Sequence, residues 1–145
     1  MKISIIALAT LLSTSAFALQ VGDSANYTLT ANDQSVETSM TVTEISGDQF
    51  TTQVTSSLGG QTQSGEGTGS LKEIEQMSAV FQNCLSVGGS FETVNVGSKG
   101  ISSCHLKQDN QDLYLSPEVT FGVVKSVLLQ NGTQISVTLN SFHKQ

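Results

Sequence analysis

The sequence predicts a mainly β domain: an antiparallel curved sheet or partial β-barrel with one covering α-helix. Three observations carry that expectation. Val, Ile, Thr, Tyr and Phe recur at period-two spacing through most of the chain. Clusters of Gly, Asn, Asp and Ser punctuate these runs at turn positions. One stretch alone, near residue 75, spaces its apolar side chains three and four apart. A β-sandwich or a closed barrel is the alternative, because strand order is not legible in a single sequence.

The chain opens with Lys2, a short apolar run from Ile3 to Leu12, and Ala16-Phe17-Ala18. A positive start, an apolar core of about ten residues and small residues flanking a cleavage point read as an export signal over 1–18. Such a run is too short to span a hydrocarbon core of ~30 Å. The expected mature chain, residues 19–145, is a single β-rich domain. No cysteine stands at the cleavage point, which argues against a lipid-modified N-terminus.

The first strand places Ala25, Tyr27, Leu29 and Ala31 on one side, against Asn26, Thr28 and Thr30 on the other, and Asn32-Asp33-Gln34 supplies a turn. In the second, Val36, Met40 and Val42 oppose Glu37, Ser39 and Thr41. The alternation slips at Glu44-Ile45, which predicts a bulge or the end of the strand. Ser46-Gly47-Asp48 turns the chain into a third strand through Phe50, Thr52, Val54, Ser56 and Leu58. The three read as a meander with one buried and one wet face.

From Gly59 to Ser70 the chain is Gly, Gln, Ser and Thr with one Glu, and reads as a flexible loop or a weak exposed strand. The Gly65 to Gly69 run lacks the Gly-Lys-Ser or Gly-Lys-Thr ending of a phosphate loop. Ser70 and Glu73 then fit a capping box, and Leu71, Ile74, Met77, Phe81 and either Cys84 or Leu85 form a helical stripe that Gly88-Gly89 ends. The helix start is open, since Leu71 to Glu75 could also extend a strand. The stripe is expected to cover the buried side of the sheet.

Ser90 to Val96, Gly97-Ser98-Lys99-Gly100 and Ile101 to Lys107 read as a hairpin, Leu113 to Leu115 as a short strand, and Pro117 as an interruption of pairing. Asn131-Gly132 between Val123 to Gln130 and Gln134 to Phe142 is the strongest local hairpin pattern in the chain. Cys84 and Cys104, the only cysteines, are expected to form one disulfide in an oxidising compartment, stapling the helix to the sheet.

Charged residues make up 12% and apolar residues 37% of the chain, both below the usual globular share. Strand-forming residues at regular spacing nonetheless argue against disorder. Without the signal the count is 5 basic against 12 acidic residues, a net of −7, from the 6 and 12 of the whole chain less Lys2. No Arg is present. The absence of a guanidinium fork and of any basic cluster excludes nucleic acid as a partner.

No catalytic constellation emerges. His143 is the third residue from the C-terminal end, and His105 reads as a sheet-surface residue. A thiolate at Cys104 activated by His105 is disfavoured because neighbours in a strand point to opposite faces. Two scattered histidines and two paired cysteines do not make a zinc site, and the Asp109 to Asp112 turn lacks the ligand pattern of a calcium loop. The expectation is therefore no enzyme, no metal and no cofactor. Asn26-Tyr27-Thr28 and Asn131-Gly132-Thr133 match glycosylation acceptors, which matter only in a host with that machinery.

Cys84, Gly88-Gly89, Phe91 to Val96, Cys104, Tyr114-Leu115-Ser116-Pro117-Glu118-Val119 and Phe121-Gly122-Val123-Val124-Lys125-Ser126 resemble the C-terminal half of small exported bacterial β proteins. Their general look is similar to periplasmic half-barrels of the lipoprotein-carrier type. The resemblance covers roughly residues 80 to 142 and implies a curved sheet and helix enclosing an apolar groove.

These readings converge on a non-enzymatic binding domain of the bacterial periplasm or the extracellular space, holding a hydrophobic ligand or a cell-envelope partner. Tyr27, Met40, Phe50, Phe81, Phe91 and Phe121 are the expected apolar lining. A structural or adhesive surface module that pairs through a strand edge is the alternative.

Overall fold

The computed structural model describes residues 18–145. Apart from Ala18, the expected export signal lies outside the described residues. Among the described residues, nine strands and one helix follow in the order β1 (Ser24–Ala31), β2 (Gln34–Ser46), β3 (Gln49–Leu58), β4 (Gln61–Ser70), α1 (Leu71–Gln82), β5 (Ser90–Val96), β6 (Lys99–Gln108), β7 (Gln111–Leu115), β8 (Val123–Gln130) and β9 (Thr133–His143).

All nine strands join one sheet in the order β4-β3-β2-β1-β9-β8-β7-β6-β5. Every neighbouring pair is antiparallel. The architecture is thus two meanders, β1 to β4 and β5 to β9, zipped together by the pairing of the first strand with the last. The single sheet excludes the sandwich, and the free edges at β4 and β5 exclude the closed barrel. α1 carries the chain from one edge to the other and packs on β4, β6 and β7.

Local chemistry explains the turns. Asn131 (φ 52°) and Gly132 (φ 79°) both occupy the left-handed region, as a two-residue hairpin matched to right-handed strand twist requires. Asn32 and Asp33 do the same between β1 and β2. The slip at Glu44 is a register shift between β2 and β3 after Val42.

The Gly-rich stretch is the strand β4, paired with β3 over its whole length. Gly65, Gly67 and Gly69 lie opposite Val54, Thr52 and Phe50, so the glycines occupy the side of the strand that faces inward. A Cβ on Gly69 would meet the Phe50 ring, 2.7 Å from Cε1. Glycine at this position lets the ring lie flat over the edge strand.

Two details of the helix depart from expectation. Ser70 stands at the N-cap but makes no side-chain cap hydrogen bond, because it is still paired with Gln49 at the end of β4; the capping box does not form. The helix also ends at Gln82, well before Gly88, with the Asn83 side chain donating to the Ala79 carbonyl at 2.9 Å.

The core gathers Leu19, Ala25, Tyr27, Val42, Phe50, Val96, Ile101, Val119, Phe121, Val124 and Leu139. The Phe50 and Phe121 rings stack at 5.9 Å, joining β3 to the segment 116–122 between β7 and β8. Thr120 of that segment donates its hydroxyl to the Ser24 carbonyl at 2.8 Å. Segment 116–122 therefore plugs the end of the curved sheet where the first and last described residues also lie. The Cys84–Cys104 disulfide, with Cα atoms 5.7 Å apart, fastens the end of α1 to β6 as expected.

Candidate functional site

α1 is amphipathic yet contributes no fully buried residue. Leu71, Ile74 and Met77 face inward at helical spacing and remain only half-buried. The helix is held at its two ends. Leu71 N–H donates to the Asp48 carbonyl at 2.8 Å, and the disulfide anchors the far end. Between these points the facing wall is segment 116–122, where Gly122 (φ 80°) brings backbone against Met77; an added Cβ would lie 3.3 Å from Met77 Cε.

Tethered at both ends and not fully seated, the helix leaves a groove of about 370 Å³. Leu71, Ile74 and Met77 form one wall and Pro117, Val119 and Gly122 the other. Ala18 and Leu19 enter from the start of the described chain, and Lys144 from its end. Lys144 and Glu75 are the charged residues at the groove. Lys144 Nζ donates to the Pro117 carbonyl at 3.4 Å, which places its ammonium beside an apolar wall.

The six aromatic and Met residues expected as an apolar lining lie outside this groove. Tyr27, Phe50 and Phe121 are buried in the core, and Met40 packs against it. Phe81, in the last turn of α1, and Phe91 of β5 meet edge to face at 5.3 Å, with Phe91 47% exposed. None of the six is among the residues lining the groove. The lining of the groove was visible in sequence only as a helical stripe and as the residues around Pro117; nothing local marks the distance between them.

Tyr27 spans β9 to donate its hydroxyl to the Val123 carbonyl at 2.9 Å. Burial holds its phenol well above the ordinary tyrosine range.

A second cluster of polar groups lies on the other half of the sheet. His105 contacts the Glu92 carboxylate through Nδ1 and Asp112 Oδ1 through Nε2, the latter at 2.8 Å. The ring stacks on Tyr114 at 4.2 Å, and Lys125 Nζ lies 5.7 Å from the Tyr114 ring centre. Burial raises the Tyr114 phenol, aided by repulsion from Glu92 and Asp112. Both ring nitrogens of His105 are thus engaged by carboxylates. His143 is exposed at the end of β9. Among the described residues no group of three His, Cys, Asp or Glu is arranged to hold a metal ion, and no helix is long and apolar enough to cross a membrane.

A single open antiparallel sheet, curved around a core and crossed by one helix, defines a half-barrel with an apolar groove. No family model and no curated protein matches the chain. Among solved structures it is similar to MucB in its complex with MucA(peri), at 12% identity and a TM-score of 0.53, over 92% of this chain and 53% of that one. MucB alone aligns at 13% identity and a TM-score of 0.43, over 92% of this chain and 57% of the other. The chain spans about half the length of the MucB chains it matches, and the likeness is one of fold.

Proposed function

We propose that this protein is an exported, non-enzymatic binding domain whose groove beneath α1 holds an apolar ligand. The observation that carries the reading is the groove itself: about 370 Å³, within the range of small-molecule sites, walled by aliphatic side chains and bordered by the Lys144 ammonium and the Glu75 carboxylate. Such a site favours an apolar body with a polar or anionic end near Lys144. The disulfide suits an oxidising compartment, in keeping with the export signal expected from the sequence. The engagement of both His105 nitrogens and the scatter of the carboxylates support a binding role over catalysis.

A cell-envelope protein presenting an apolar segment is the second reading. It is supported by the solved complex of MucB with MucA(peri), a protein partner held by a chain of similar fold. Uptake of an anionic apolar dye, anilinonaphthalene sulfonate, tests the groove. The wild-type protein is expected to bind one equivalent, and Ser78→Trp, which fills the groove from a lining position, to weaken binding about tenfold. Leu85→Arg, at an exposed position outside the lining, serves as the control. No uptake, or equal uptake by Ser78→Trp, overturns the assignment.

A further inference from the structure

The two edges of the sheet are unlike. β5 is seven residues long, lies close to β9, and has Phe91 covered in part by Phe81. β4 is ten residues long and pairs with β3 without a register shift. Its packing neighbours are β3 and the adjoining α1, and Gln61 to Glu66 are all exposed. An edge strand carries a row of unpaired N–H and C=O groups, which proteins ordinarily guard with Lys, Pro or a bulge. The β4 sequence QTQSGEGTGS has none of these and a single charge, Glu66.

We propose that β4 is a self-association edge, pairing antiparallel with β4 of a second copy about a two-fold axis through Gly65. Residues directly opposite in such a pair share a face, so the axis must pass through a residue. Centred on Glu66, the pairing sets two carboxylates face to face, which is unfavourable. Centred on Ser64, it leaves the last three residues of the strand without a β4 partner. Centred on Gly65, it engages residues 61–69 and opposes no like charges.

In that register Glu66 faces the Ser64 hydroxyl of the other copy and Thr62 faces Thr68. On the inner side Gln61 and Gln63 each lie opposite a glycine, Gly69 and Gly67, so no two long side chains collide. The sheet continues across the dimer, with its inner faces joined over a seam of glycines. The pairing is independent of the groove under α1, and its failure leaves that reading intact.

The test is sedimentation equilibrium of the mature protein over a concentration series. Thr62 and Thr68 are both exposed. Thr62→Lys with Thr68→Lys places ammonium groups opposite one another at two points of the seam, while Thr62→Lys with Thr68→Glu places opposite charges there. The wild type is expected to show a monomer–dimer equilibrium, the Lys/Lys variant to dissociate at about tenfold or more higher concentration, and the Lys/Glu variant to recover dimerisation. In the wild type, amide exchange within β4 should slow as concentration rises. A wild type that stays monomeric, exchange in β4 that ignores concentration, or two variants that behave alike overturns the proposal.

Discussion

The Asp23 carboxylate accepts the backbone N–H of Gln145 at 2.7 Å through Oδ1 and that of Gln20 at 2.9 Å through Oδ2. Asp23 is 1% exposed, and both bonds are part-buried. One side chain thereby fixes the start and end of the described chain beside each other. The position of Lys144 at the groove follows from that tie.

Asp23→Ala leaves two backbone donors without acceptors and is expected to destabilise the fold by about 2 kcal/mol. Releasing Gln145 also frees Lys144, so binding of an anionic amphiphile should weaken more than binding of a neutral one. Denaturant titration and paired binding curves check the two effects separately.

Tyr27 gives the protein an alkaline limit. Its folded phenol is raised above the ordinary value of 10.0 by burial. Below pH 10 the folded and unfolded chains are both protonated there, and the group adds no pH dependence. Above pH 10 the unfolded chain loses the proton and the folded chain keeps it, so stability falls with a slope approaching ~1.4 kcal/mol per pH unit. Tyr27→Phe forfeits the bond to Val123, costing about 1 kcal/mol at neutral pH, and flattens the alkaline limb. Stability measured at pH 8 and pH 11 for both proteins resolves this.

Reduction of Cys84–Cys104 reopens a loop of sequence separation 20 and is expected to cost about 3 kcal/mol in the chain-entropy model. The loss should concentrate at the end of α1, because the disulfide is its covalent tie to β6. Hydrogen exchange under reducing conditions should show residues 78–89 opening ahead of β1 and β9.

Gly69→Ala drives a methyl into the Phe50 ring and should destabilise by about 1–3 kcal/mol. Gly65→Ala, which meets nothing within 4 Å, should fall within about 0.5 kcal/mol of wild type. Thermal unfolding of the two variants distinguishes a packing requirement at Gly69 from a general need for flexibility in β4.

The period-two runs, the bulge at Glu44 and the Asn131-Gly132 hairpin were legible because each is written within a few neighbouring residues. β4 was legible only in part. Its inward positions are the glycines 65, 67 and 69, so the alternation exists but its apolar half is missing. The reason is Phe50, supplied by another strand. The capping box at Ser70 failed because the residue is committed to its pairing with Gln49, a tertiary demand that outweighs the local pattern. Tyr27, Phe50 and Phe121 were recognisable as interior residues, but their size is what fills the core, leaving none of them for the groove. The groove depends on the spacing between α1 and segment 116–122, set by tethers at Asp48 and Cys104 that no local pattern carries.

Native mass spectrometry with solvent extraction, on the protein purified gently from the cells that make it, bears most heavily on the proposed binding role. The groove predicts an apolar species retained at up to one per chain, extractable into organic solvent and diminished in Ser78→Trp. A bare oxidised mass in repeated preparations, together with refusal of apolar probes, contradicts it.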